Sequence, residues 1–252
     1  MSGHSKWKTI QHKKGAADAK RGKVFSKLSK ELAVVAKRGG SNPDLNPALR
    51  ALIQKAKSSN MPADNVDRAI KKGAGELEGT TYEEVTYEGY ASGGVAMIVQ
   101  VLTDNKNRAA AEIRHTFTKH GSSFAGPGSV SRGFVRKGQI FIDAATVDED
   151  KLMSLVLDAG AEDMQKDDGQ FEILTDPASF ADVMEALEKA GIKTSGGEVS
   201  MVPLNYVPVK DKAAASAVMR FVQDLEDNDD VQNVYMNMDV EAAVLQEMEE
   251  KG

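Results

Sequence analysis

The sequence predicts an α+β protein, all helical at its N-terminal end and mixed in strands and helices beyond it. Three observations lead there. Apolar residues recur at helical spacing up to about residue 72, the glycine-rich stretch Gly73-Ala74-Gly75-Glu76-Leu77-Glu78-Gly79 follows, and past it the spacing becomes that of strands interleaved with helices. At 252 residues the chain is expected to hold two or three separately cored domains.

The first helix is predicted from about Asp18. Val24, Leu28, Leu32 and Val35, with Phe25 beside them, form one apolar stripe, and Gly39-Gly40 stop the helix behind Lys37 and Arg38. Pro47 opens a second helix carrying Leu49, Leu52, Ile53 and Ala56. Pro62-Ala63-Asp64-Asn65 opens a third with Val66, Ala69 and Ile70. The glycine stretch reads as a hinge and the first domain boundary. Tyr82 to Tyr90 and Val95 to Leu102 then read as strands, the second nearly apolar on both faces and so central. A helix from Asn107 to His120 follows. Further on, Gln139 to Asp143 leads to a helix ending at Ala159-Gly160 and then to the strand Gln170 to Leu174. A helix ending at Ala190-Gly191 and the strand Glu198 to Pro203 come next. Two such helix-Ala-Gly-strand passages suggest a β-α-β-β-α-β unit. The tail adds a helix from Lys212 to Leu225 and a strand from Gln232 to Met238.

Hydrophobic residues at 41% and charged residues at 28% are those of a folded soluble chain. No apolar run is long enough to span a membrane, and the basic start lacks the apolar segment of a secretory signal. The absence of cysteine excludes disulfides and thiolate chemistry and fits the cytoplasm. The net charge of −6 is unevenly distributed, with 17 Lys and Arg against 7 Asp and Glu in residues 1–80 and 15 against 31 in the remainder. A basic module that meets a polyanion, joined to an acidic body that does not, accounts for this; lysines decorating a solvated face are the alternative. On the first helix Lys20, Lys23, Lys27, Lys30 and Lys37 share an arc away from the apolar stripe. Before it, Gly3-His4-Ser5-Lys6-Trp7-Lys8 holds the only Trp among donors and cations. Trp7 either stacks on a base while lysines hold phosphates or caps the edge of the helical bundle.

These residues are recognisable. Gly3-His4-Ser5-Lys6-Trp7, His12-Lys13 and Asp18-Ala19-Lys20-Arg21-Gly22-Lys23 resemble the start of the YebC family of bacterial regulators, which includes mitochondrial translational activators of cytochrome oxidase. Asn60-Met61-Pro62, Arg68-Ala69-Ile70-Lys71-Lys72-Gly73, Tyr87-Glu88-Gly89-Tyr90, Gly93-Gly94-Val95 and Thr103-Asp104-Asn105-Lys106-Asn107-Arg108 continue it in the family's order. The loop Ser122-Ser123-Phe124-Ala125-Gly126-Pro127-Gly128 departs from the family's Gly-Asn-Leu-Gly type, while Gly128-Ser129-Val130 keeps its ending. The resemblance implies three domains: a helical bundle over 1–80, an α/β domain over 81–130 and 205–252, and a third over 131–204 inserted in the second, both α/β domains being expected as ferredoxin-like. It further implies a non-enzymatic regulator of gene expression. Its nucleic-acid contacts are expected from Lys6, Trp7, Lys13, Lys14, Lys20, Arg21, Lys23, Lys27 and Lys30. DNA is the target in the family's usual description, and ribosomal or transfer RNA in that of its translation factors, which relieve stalling at proline runs.

Enzyme motifs dissolve on inspection. Gly133-Phe134-Val135-Arg136-Lys137-Gly138 has P-loop glycine spacing, but Gln139 and Ile140 stand where Lys and Ser or Thr belong. His115 and His120 are five apart, on different faces of a helix, with no third ligand evident. No cofactor, metal, membrane or small-molecule substrate is expected. The remaining alternative is a protein-interaction module that docks through the acidic α/β domains.

Overall fold

The computed structural model describes residues 17–167, 169–241 and 244. The chain divides into two compact units, one of residues 131–206 and one of the flanking segments up to Val130 and from Val207 on. The flanking unit begins with three helices, α1 (Ala17–Gly39), α2 (Pro47–Ser58) and α3 (Ala63–Ala74), followed by β1 (Glu83–Tyr90), β2 (Ala96–Thr103), α4 (Lys106–Lys119) and β3 (Ser123–Ala125). Residues 131–206 form β4 (Phe134–Asp143), α5 (Glu149–Asp158), β5 (Ala161–Asp167), β6 (Gln170–Thr175), α6 (Phe180–Lys189) and β7 (Gly196–Pro203). The return segment supplies β8 (Val207–Val209), α7 (Lys212–Glu226), β9 (Val231–Met236) and β10 (Met238–Val240). Among the described residues no helix is long and apolar enough to cross a membrane.

The helical part closes on one core. Leu28, Leu32 and Ala36 of α1 are buried against Leu49 and Ala56 of α2 and Val66 and Ala69 of α3. Val24, predicted on the same stripe, is 41% exposed. A 12-residue helix is about 18 Å long and α1, with its 23 residues, about 34 Å, so its partners cannot cover the whole stripe. Asn46 fixes the entry to α2: its side chain accepts from the Leu49 amide at 3.1 Å and donates to the carbonyls of Val35 and Gly40. Gly73, predicted to belong to a hinge, instead lies within α3 where it crosses α1. A Cβ on it would stand 2.1 Å from the Ala33 carbonyl oxygen, so the residue is a close-approach point, and the chain turns only at Gly75, with φ of 79°.

Two antiparallel four-stranded sheets follow. In the flanking unit the order is β3-β1-β2-β9, built by a β1–β2 hairpin and closed by β9 alongside β2. Its core joins Met97, Val99 and Val101 of β2 to Ile113 and Phe117 of α4 and to Val218, Phe221 and Val222 of α7. The Phe117 and Phe221 rings meet edge to face, 4.8 Å between centroids. β8 and β10 pair separately, in parallel. In residues 131–206 the order is β5-β6-β4-β7, with α5 and α6 as the crossovers. Their core is Ile140, Ile142, Phe171 and Ile173 of the sheet with Leu152, Val156, Val183 and Leu187 of the helices. The two sheets thus differ in the succession of their elements, β-β-α-β-α-β in the first and β-α-β-β-α-β in the second.

Candidate nucleic-acid interface

Of the nine residues expected to contact nucleic acid, Lys6, Trp7, Lys13 and Lys14 lie outside the described residues. Lys20 and Arg21 fall in the first turns of α1, with side chains outside what is described. Lys23, Lys27 and Lys30 are brought together as one row, spaced i, i+4 and i+7, and that row meets the turn after α7. Lys23 Nζ is 2.7 Å from Asp227 Oδ1 and 3.2 Å from the Asp227 carbonyl oxygen. Lys27 Nζ donates to the Glu226 carbonyl at 3.0 Å. Lys30 Nζ donates to the Asp229 carbonyl at 2.9 Å and to Asp230 Oδ1 at 2.6 Å. The carbonyls at the end of α7 carry the negative end of its dipole, which adds to the attraction of the carboxylates.

Asp230 is the centre of this arrangement. Its side chain is 7% exposed, and besides Lys30 it takes Arg108 at 2.7 Å and the Thr103 hydroxyl at 2.8 Å. Burial pushes its carboxyl toward protonation, but the hydrogen bonds from Lys30, Arg108 and Thr103 outweigh burial and hold it below the usual carboxylate range. Arg108 is raised in turn, chiefly by its hydrogen bonds to Asp230 and Asp104. Burial lowers the Lys27 ammonium, Lys23 adds to that, and the carboxylates of Glu226, Asp227 and Asp229 act against it. Lys30 also lies 5.7 Å from the centroid of the Tyr82 ring. Beside the row opens a polar cleft of about 520 Å³, lined in part by Ser26, Tyr82, Asp104, Glu112 and Asp229.

A second set of cations lies outside the nine; of these, Lys37 was read on the lysine arc of the first helix, and Lys57, Arg68, Lys71 and Lys72 were missed. Lys37, Lys57, Arg68, Lys71 and Lys72 are exposed, and none of their side chains has a hydrogen-bond or ion-pair partner among the described residues. Arg68, Lys71 and Lys72 are spaced i, i+3 and i+4 on α3 and share one face. Their signal was present in the sequence, but it was read as part of the family signature Arg68-Ala69-Ile70-Lys71-Lys72-Gly73 and not as a basic face. Arg38, Arg50 and Lys55 are less available: Arg38 pairs with Glu84 at 3.1 Å, Lys55 with Glu31 at 3.6 Å, and Arg50 donates to the carbonyls of Pro43 and Asp44.

The residues weighed for enzyme chemistry are placed as follows. Gly133 to Gly138 runs from a short helical turn into β4, and Gly138 is a mid-strand position where a Cβ would meet Thr175 Oγ1 at 2.3 Å. His115 is exposed, while His120 is half-buried with Nε2 2.8 Å from Asp224 Oδ2. Among the described residues no three His, Asp or Glu side chains are grouped to hold a metal ion.

Comparison with known proteins decides the family. Residues 5–76 match the model of the TACO1/YebC protein N-terminal domain, and residues 82–238 match that of the TACO1/YebC second and third domain. The chain belongs to the TACO1/YebC family. Among its relatives, a probable transcriptional regulatory protein of Geobacter sulfurreducens is 54% identical over 98% of this chain and 100% of its own length. Proteins of the same description from Dictyoglomus turgidum and Halothermothrix orenii are 52% and 50% identical, over 98% and 100% of this chain and the whole of each relative. The crystal structure of a conserved hypothetical protein from Aquifex aeolicus superposes with a TM-score of 0.80 at 46% identity, covering 90% of this chain and 94% of that one. The TACO1/YebC models break between residues 76 and 82, where α3 ends and the first sheet begins.

Proposed function

We propose that this protein is a nucleic-acid-binding regulator of gene expression that acts by binding, with no covalent step. Segregation of charge carries the reading. The first 80 residues hold 17 basic and 7 acidic side chains, and α1 to α3 display Lys37, Lys57, Arg68, Lys71 and Lys72 to solvent. Such a surface neutralises phosphates and releases their counterions whatever the base sequence. The names of the relatives, probable transcriptional regulatory proteins, agree with it. We read the fold as three domains, with the helical bundle as the contact module, the second and third domains as its support, and the inserted third domain as ferredoxin-like.

One observation favours RNA within a cleft over extended duplex. Residues 81–252 carry 15 basic against 31 acidic side chains, so a duplex laid along the molecule would be repelled by most of it. A basic tip reaching ribosomal or transfer RNA keeps the acidic body outside.

The deciding experiment is equilibrium binding to a mixed-sequence DNA duplex and to purified ribosomes, each titrated with salt. About six neutralised phosphates give a log–log salt slope near −5 on duplex DNA. Replacing Lys13, Lys14 and Lys20 together with Ala should lower that slope by about 3 units, at roughly 0.9 per contact. Salt-resistant ribosome binding with weak duplex binding selects the translational role, and tighter binding to particular duplexes selects the transcriptional one. Failure to bind either polyanion at low salt removes the reading.

A further inference from the structure

To the lysine row of α1 the turn 226–230 offers what a phosphate backbone offers: successive anionic and carbonyl oxygens spaced to be gripped in sequence. We propose that this turn is an intramolecular competitor for the nucleic acid, and that Asp227 is its releasable end. The inference rests on the nucleic-acid reading above.

The geometry separates the two ends of the grip. At the inner end Lys30 and Asp230 are 12% and 7% exposed, and the carboxylate is also held by Arg108 and Thr103. Opening that end would strand a buried charge, so it stays closed. At the outer end the Lys23 and Asp227 side chains are 40% and 57% exposed, and their pair is a surface contact that salt or a polyanion can replace. Lys23 lies two and three residues from Arg21 and Lys20, so its release lengthens a continuous run of cations toward the N-terminus. The turn thereby sets a threshold: a ligand with too few phosphates does not displace Asp227, and one with enough gains Lys23 as a further contact.

The test uses the full chain and two variants, Asp227→Asn and Asp229→Asn. Each removes one negative charge from the same turn, but the Asp229 carboxylate makes no hydrogen bond or ion pair among the described residues. Binding to a mixed-sequence DNA duplex and to purified ribosomes is titrated with salt, and the acetylation rate of Lys23 is followed by mass spectrometry without ligand. The expected result for Asp227→Asn is faster acetylation of Lys23 and about twofold to fivefold tighter binding to each of the two polyanions. Asp229→Asn should leave all three near wild type. An equal gain in affinity from Asp229→Asn would assign the effect to general repulsion and overturn the proposal. Wild-type affinity in Asp227→Asn overturns it too, while leaving the nucleic-acid reading intact. If none of the three proteins binds either polyanion while Lys23 still acetylates faster in Asp227→Asn, the nucleic-acid reading is what has failed, and the competition falls with it.

Discussion

The two sheet-containing parts of this molecule carry similar excesses of acid and use them differently. Among the described residues of 131–206 the ion pairs are peripheral, as between Lys166 and Glu149 at 3.0 Å, both about half exposed, and the buried polar side chains are the neutral Gln139, Thr175 and Ser200. In the part built around β1, β2, β3 and β9, two carboxylates are buried among the described residues, Glu88 on β1 and Asp230 just before β9. Both reach far along the chain. Glu88 accepts from the amides of Gly128 and Val130 at 2.9 and 2.6 Å, and Asp230 takes Lys30 from two hundred residues away. Acidity is a solvated surface in the first part and a set of joints in the second, and charge counting alone does not distinguish them.

The largest expected effect is at Asp230. Replacing it with Ala leaves the nearly buried Lys30 ammonium with the Asp229 carbonyl but no carboxylate, and should cost about 3 to 5 kcal/mol in urea unfolding, the range for breaking a buried pair. Its carboxyl titrates lower in the folded than in the unfolded chain, where it lies near 3.9, so its contribution is present in full above about pH 4 and is lost as pH falls through the folded value. The variant should therefore show a flatter acid limb in stability against pH. Next comes Glu88→Gln, which keeps one acceptor oxygen for two amides and should cost about 1 to 2 kcal/mol, with faster amide exchange at Gly128 and Val130. Smallest is Glu149→Gln in the other part, within about 0.5 kcal/mol of wild type because its pair with Lys166 is exposed. A cost at Glu149 equal to that at Glu88 would erase the distinction.

The same contrast marks what could be read from the sequence. Helical spacing found α1 to α3, and the apolar run 95–102 found the central β2, because burial of a whole face leaves a periodic trace. β5 was not placed. Its Ala161-Glu162-Asp163-Met164-Gln165-Lys166-Asp167 is too polar to alternate, and it is ordered by pairing with β6. β3, β8 and β10, three residues each, are too short to show any period. The lysine row of α1 was legible as a row, but its partner was not. No local pattern announces that Asp227 and Asp230, about 200 residues on, will face it. Gly73 was misread for a related reason: a glycine needed for the close passage of another helix and one needed for a bend look alike in one dimension.

Residues 131–206 begin and end side by side. Phe134 is registered opposite Pro203, and the Leu204 amide donates to the Gly133 carbonyl at 2.8 Å. A segment whose entrance and exit share one doorway is a cassette: it can be lengthened, exchanged for another folded module or replaced by a short link while the flanking chain keeps its path. The same doorway makes residues 131–206 a ready socket for a fluorescent or affinity module.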